Sequence, residues 1–351
     1  MKAARLNAVH EPLEVLDVPE PTPGPADVVM RIEAAGICRT DWHVWNGDWE
    51  WVGMMPTLPV IPGHELGGVI EAVGSDVREF AVGDRVTAPF HEACGHCRYC
   101  RISRTNLCDN LQFVGLTHDG GYAEYAKILN ADFNCVRLPE GVDSQAAAAI
   151  GCRYMTAYHA VMHQGGVQPG QWVAVHGTGG VGLSAVQIAS AIGAQTIAVD
   201  IDDAKLKKAV EEGAVATVNG NEVDVAEAIK EISGGGVQVS IAALGRRQMV
   251  VNSVNCLRKG GRHVQVGLTS QEEQGIVGLP IDMMIEAEIE FVGSVGNPHT
   301  KYPELLAMVQ RGHLDPKSLI TREVSLSEVT GVIEDMTDFR TVGFNVITDF
   351  S

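Results

Sequence analysis

Seven residues constrain the fold more than any others in the chain. His176-Gly177-Thr178-Gly179-Gly180-Val181-Gly182 follows a short apolar run, Trp172-Val173-Ala174-Val175-His176, and opens a stretch of helical texture. The glycines fit the pattern G-x-G-x-x-G between a strand and a helix. Such a turn lets the backbone approach a pyrophosphate, and the helix N-terminus offers free N–H groups to it. Asp200 ends the next apolar run, 18 residues after Gly182. An acidic residue there accepts hydrogen bonds from ribose hydroxyls and repels a 2′-phosphate, and Asp202 and Asp203 deepen the negative field. The spacing therefore favours NAD over NADP.

The surrounding sequence extends that unit. Helices over 183–192 and 203–212 alternate with strands over 195–200, 237–243 and 262–267, which predicts βαβ units and a doubly wound parallel sheet. Residues 144–162 read as a helix, with Ser144 before an alanine run as the cap. The first 90 residues differ. Short strands such as 27–32 and 67–73 are punctuated by Gly and Pro, as in a β-rich unit. With 351 residues the chain exceeds one comfortable core. The expected division is a β-rich domain over 1–153 and 292–351 and a nucleotide-binding domain over 154–291.

Charge and apolar patterning exclude several classes. A balance of 26 Lys+Arg against 44 Asp+Glu gives a net charge of -18, which repels phosphate backbones, so no nucleic-acid partner is expected. The same charge suits either a halophilic surface or ordinary solubility. There is no signal-peptide h-region and no uninterrupted apolar run of membrane-spanning length. The expectation is a cytoplasmic protein without a membrane partner.

Four of the eight cysteines lie within one loop: Cys94, Cys97, Cys100 and Cys108. Four thiolates at this spacing close a tetrahedron around structural zinc, and can also hold an iron–sulfur cluster. His96 sits among them and is expected to be exposed. A catalytic zinc needs three protein ligands and an open position, drawn from distant segments that local spacing cannot link. Cys38, His64 and Cys152 are the candidates. Taken singly, each also reads as a small buried hydrophobe or a loop histidine.

Together these residues become recognisable. Gly36-Ile37-Cys38-Arg39-Thr40-Asp41-Trp42-His43, Pro62-Gly63-His64-Glu65-Leu66-Gly67-Gly68, the four-cysteine loop and the glycine turn occur in that order. Nearly end to end, the chain resembles the zinc-dependent medium-chain alcohol dehydrogenases. The resemblance implies a GroES-like β-rich catalytic domain beside a Rossmann domain, with an active site in the cleft between them. It implies two zinc ions per chain, one catalytic on Cys38, His64 and Cys152 and one structural on the four-cysteine loop. It also implies reversible hydride transfer between NAD and a small primary or secondary alcohol and its aldehyde or ketone.

Finer roles follow from the same resemblance. Asp41 would orient His64, and Glu65 would stand behind the metal. Thr40 would take the alcohol proton and His43 would pass it on. Arg39 and Arg340 would meet the pyrophosphate, and Lys205 a ribose. Val181, Val266 and Leu268 would face the nicotinamide. Trp42, Trp45, Trp49 and Trp51 crowd the segment that borders the substrate pocket. Arg153, beside Cys152, departs from the small residue expected there. The stretch 281–295 includes a strand that pairs across a dimer axis in the family, implying a homotetramer or a homodimer. A polyol or threonine dehydrogenase of the same superfamily is the alternative. A non-catalytic zinc module leaves the glycine turn without a role, and a zinc-free quinone reductase leaves the four-cysteine loop without one.

Overall fold

The computed structural model describes residues 1–351. The chain divides into two compact units, Met1–Met155 with Gly296–Ser351, and Thr156–Val295. The crossings fall at 155/156 and 295/296, rather than at the expected 153/154 and 291/292.

In the second unit six strands, all pairing in parallel, form one sheet. Its order is Ala216–Asn219, Gln195–Asp200, Trp172–His176, Val237–Ala242, Leu257–Gln265, Glu290–Gly293. Trp172–His176, the first of the six in chain order, is central and the order reverses beside it, which is the doubly wound topology. Val173, Ala174 and Val175 are fully buried, as a strand covered on both faces requires. The helices Gly180–Ala191, Asp203–Glu211, Val225–Ser233 and Arg247–Asn255 make the crossovers. Asp202 and Asp224 cap two of them by accepting backbone N–H bonds. The last strand, Glu290–Gly293, stands at the sheet edge with no buried residue.

The first unit is β-rich. Its sheet runs Ile320–Ser325, Phe344–Asp349, Val28–Ile37, Glu65–Val73, Arg85–Ala88, Val136–Arg137, and Tyr125–Ile128 also pairs with Val28–Ile37. Pairing is antiparallel except between the first two strands, which the helix Val329–Thr337 connects. Met30, Ile32, Leu66, Ile70, Val86, Tyr122, Ile128 and Ile347 fill its core. Register shifts at Val29/Met30 and Ile32/Ala34 bend the long strand that leads to Cys38.

The helix over 144–162 differs from its expected form. Asp143, not Ser144, is the cap: its carboxylate accepts the Ala146 N–H at 2.9 Å. Ser144 instead donates to Glu33 at 2.7 Å. The α-helix Ser144–Ala149 then widens into a π-helical turn over Ile150–Tyr154, which carries Cys152. Such wide turns are rare and often occur at functional sites. No helix is long and apolar enough to cross a membrane.

Candidate metal centres and active site

The four-cysteine loop is organised by two short helical turns, Arg98–Arg101 and Thr105–Leu107. Cys97 caps the first, Cys100 lies inside it and Cys108 ends the second. All four sulfurs lie within 4.8 Å of one another. Cys97 Sγ is 3.5 Å from Cys100 Sγ and 3.8 Å from Cys108 Sγ, too far for a disulfide bond. Backbone N–H groups point at the sulfurs: Cys94 and Asn110 donate to Cys108, and Cys97 donates to Cys94. Burial raises the Cys94 thiol, but the His96 and Cys97 N–H groups outweigh it and hold it at about 6. Burial, with Cys97 beside it, pushes Cys100 up to about 12. A soft cation would displace the remaining protons. His96 is exposed, its Nδ1 2.8 Å from the Cys94 carbonyl.

The second cluster joins three segments of the same unit. Cys38 is the residue before the helix Arg39–Trp45, His64 precedes the strand Glu65–Val73, and Cys152 sits on the π-helical turn. Their ligand atoms also lie within 4.8 Å of one another. Asp41 is the buried hub between them. Its Oδ2 accepts the Cys38 N–H at 2.9 Å and the Tyr122 hydroxyl at 2.7 Å. Its Oδ1 accepts the Gly63 N–H at 3.3 Å and lies 3.2 Å from His64 Nδ1. Both His64 ring nitrogens are buried without a well-formed hydrogen bond, Nδ1 lying against Asp41 and Nε2 facing away from it. A buried orphan nitrogen is costly unless a ligand satisfies it, and two thiols stand within reach. The donor set Cys/His/Cys, with a carboxylate behind the imidazole, suits zinc.

The electrostatics agree. The Cys152 thiol donates to Cys38, and with His64 nearby this holds Cys38 well below the usual thiol range against the opposing effect of burial. The same shared proton, with burial, keeps Cys152 raised. Burial opposes protonation of His64, but Asp41 and Cys38 more than reverse it and raise the imidazole. The lowered Cys38 thiol and the raised His64 imidazole therefore balance one another, and a bound cation would displace the protons on His64 and Cys152.

In the second unit the glycine turn joins the strand Trp172–His176 to the helix Gly180–Ala191. Gly177 has φ +85°, open to glycine at little cost. A Cβ on Gly182 would collide with the Gly177 carbonyl, so the turn closes only with glycine there. Gly179, Gly180 and Val181 lie exposed or half-buried at the helix start. Asp200 binds this turn directly: its Oδ2 accepts the Thr178 N–H at 2.7 Å and the Thr178 hydroxyl at 3.0 Å. Its Oδ1 accepts from the N–H groups of Ile201 and Asp202. Lys205 is largely buried on the helix Asp203–Glu211. Val266 is half-buried and donates to the Ala242 carbonyl, while Leu268 is exposed.

Residues 24–140 match the alcohol dehydrogenase GroES-like domain and residues 180–311 the zinc-binding dehydrogenase domain. An alcohol dehydrogenase of Geobacillus stearothermophilus is 39% identical, over 89% of this chain and 90% of its own length. The chain belongs to the zinc-dependent medium-chain alcohol dehydrogenase family. A sorbitol dehydrogenase of Halalkalibacterium halodurans is 32% identical, over 90% of this chain and 89% of its own. The solved alcohol dehydrogenase TADH of Thermus sp. ATN1 superposes with a TM-score of 0.91 at 28% identity, over 99% of each chain. As in this family, the β-rich unit is GroES-like and the parallel unit is a Rossmann fold.

The other residues that alcohol dehydrogenase resemblance singles out are placed as follows. Thr40 is half-buried, two residues beyond Cys38. His43 is held by a partner that sequence reasoning missed, since its Nδ1 lies 2.6 Å from Asp48 Oδ2. The ring stacks on Trp49 at 4.8 Å. Burial lowers the His43 imidazole and Asp48 only partly offsets it. The Arg39 guanidinium lies 3.7 Å from the Trp42 ring centre and 4.3 Å from that of Phe339, and donates to the Met336 carbonyl. Arg340 pairs with Asp335 and Asp338 on the surface. Trp42 and Trp49 are buried, Trp45 is half-buried with its indole N–H on the Glu11 carbonyl, and Trp51 is exposed. Glu65 is fully buried against Arg153, whose Nε donates to its Oε1 at 2.9 Å and whose Nη2 pairs with its Oε2. Tyr122 and the Arg153 pairing were beyond sequence reasoning because each contact is set by tertiary packing, and Asp48 because its contact depends on the turn after the helix Arg39–Trp45.

Proposed function

We propose that this alcohol dehydrogenase couples oxidation of a small primary or secondary alcohol to NAD, with one catalytic and one structural zinc per chain. The observation that carries the reading is the Cys38–His64–Cys152 cluster, with His64 Nε2 buried and without a partner beside two thiols. When bound, zinc there supplies Lewis acidity toward the alcohol hydroxyl, and the nicotinamide supplies the carbon that accepts hydride.

The chain's residues do the rest. Cys38, His64 and Cys152 would hold the catalytic metal, and Cys94, Cys97, Cys100 and Cys108 the structural one. Asp41 faces His64 Nδ1, which would leave Nε2 to face the metal. The Thr40 hydroxyl would accept the alcohol proton while releasing its own, and His43 would deliver a proton to solvent. A neutral imidazole suits that task, and burial keeps His43 neutral near pH 7. The turn Gly177–Gly182 cradles the pyrophosphate, with Arg39 and Arg340 as its cationic partners. Asp200 selects against a 2′-phosphate, and Lys205 contacts a ribose. Val181, Val266 and Leu268 pack against the nicotinamide.

A polyol substrate is the second reading, favoured by the sorbitol dehydrogenase relative. Cys152 stands against it, since polyol dehydrogenases commonly carry a carboxylate near that position. The test is a panel of small alcohols, sorbitol and threonine, each with NAD and with NADP. The reading expects the highest kcat/KM for a small alcohol with NAD. A preference for sorbitol would move the assignment to the polyol branch, and equal use of NADP would remove the role given to Asp200.

We also infer a homotetramer, with a homodimer as the alternative. The edge strand Glu290–Gly293 leaves backbone groups without a neighbouring strand. Phe291 on this strand and Ile281 and Ile285 on the helix Ile281–Glu286 that precedes it are exposed. An apolar sheet edge of this kind calls for cover.

A further inference from the structure

Resting on the reading of Cys38, His64 and Cys152 as a zinc site, we infer that Arg153 is a positioning residue that ties two ligand-bearing segments together. His64 and Glu65 are neighbours at the start of one strand, and Cys152 and Arg153 are neighbours on the π-helical turn. Each segment thus presents a ligand and, next to it, one half of an ion pair. The pair is buried, with side-chain exposures of 6% for Arg153 and none for Glu65. It is also heavily bonded. Glu65 Oε1 accepts the Arg153 Nε at 2.9 Å and the Arg153 backbone N–H at 3.1 Å, and Nη2 pairs with Oε2. The guanidinium plane is fixed on its other side by Phe344, 3.8 Å from the ring centre.

This geometry accounts for the unexpected bulk beside Cys152. A bidentate guanidinium–carboxylate pair fixes distance and orientation together, which a lysine's point charge does not. The backbone N–H of Arg153 lies on the turn that carries Cys152, so its bond to Glu65 acts on the turn itself. The tie holds His64 and Cys152 in register before any ion arrives, as the ligand-atom distances require. It also keeps the Glu65 carboxylate occupied, leaving the three-ligand site with an open position.

The experiment is zinc release from the purified full-length protein into a chromogenic chelator, followed over time. The variants are R153K, which keeps the charge and loses the fork, and the paired E65Q/R153M, which removes both charges. Removing the pair together avoids a lone buried charge, the usual cause of misfolding in such variants. Wild type should show two classes of zinc, a slow one from the four-cysteine loop and a faster one. Supporting contacts of this kind are typically worth about 10- to 100-fold in metal affinity. The paired variant should release the faster class about tenfold sooner or more, R153K should fall between it and wild type, and the slow class should be unchanged. Cobalt substituted at the site should show a shifted d–d band in both variants. Unchanged release of the faster class would overturn the inference, as would equal acceleration of both classes, which indicates general loosening. A single class in wild type would overturn the zinc-site reading itself, and the inference with it.

Discussion

At the scale of single residues, charge and burial decide the behaviour of the histidines. His43 is pulled down by burial and up by Asp48. Replacing Asp48 with Asn removes the upward pull, so the imidazole should deprotonate at lower pH. The acid limb of the kcat profile for alcohol oxidation should then move to lower pH in D48N. H43A should slow turnover at neutral pH and be partly rescued by small basic buffers. Unchanged kinetics in H43A would remove His43 from the relay. His263 illustrates a structural case. Buried between Ser253 and Gln265, it is held at about 4 by burial. Its folded pKa lies below the unfolded value, so folding excludes a proton between about pH 6.5 and 4. Its penalty is absent above that window and grows as the pH falls through it, up to roughly 3 kcal/mol. Urea unfolding of H263Q should lose less stability than wild type between pH 7 and pH 4. Parallel curves would place the acid sensitivity elsewhere. Little of this was legible in the sequence. Asp48 lies five residues from His43, but nothing in that spacing says that a turn brings them together.

At the scale of elements, legibility follows periodicity. The strands Trp172–His176 and Gln195–Asp200 were readable to the residue because buried parallel strands are continuous apolar runs ended by turn signals. The helix that carries Cys152 was readable as a helix. Its π-helical turn was not, because one wider turn leaves the apolar pattern almost unchanged. Arg153 looked out of place for the same reason: its partner, Glu65, is 88 residues away. The four-cysteine loop was the easiest element, since its ligands are local. Its apolar packing is limited to Ala93, Leu111, Phe133 and the cysteines themselves. Losing its metal should therefore loosen it. C97S should bind one zinc fewer per chain and unfold at a lower temperature, while retaining the other zinc. Unchanged zinc content in C97S would show that the loop holds no ion.

At the scale of the whole molecule, the chain divides into two compact units, one β-rich and one built on a parallel sheet. What the sequence could not decide was assembly, because an edge strand and an exposed apolar patch read alike whether covered or bare. Placing a charge in that patch tests it. F291E should shift the sedimentation coefficient toward that of a smaller assembly, and an unchanged value would move the interface elsewhere. The central claim, however, concerns metal and hydride transfer. Elemental analysis of purified wild type and C152S, paired with NAD-linked oxidation of a small alcohol, tests it most directly. Wild type should carry about two zinc per chain and C152S about one, with activity in C152S reduced by roughly a hundredfold or more, since Lewis-acid assistance is worth several kcal/mol. Equal zinc in both proteins, or full activity in C152S, would contradict the assignment of Cys38, His64 and Cys152 as the catalytic site.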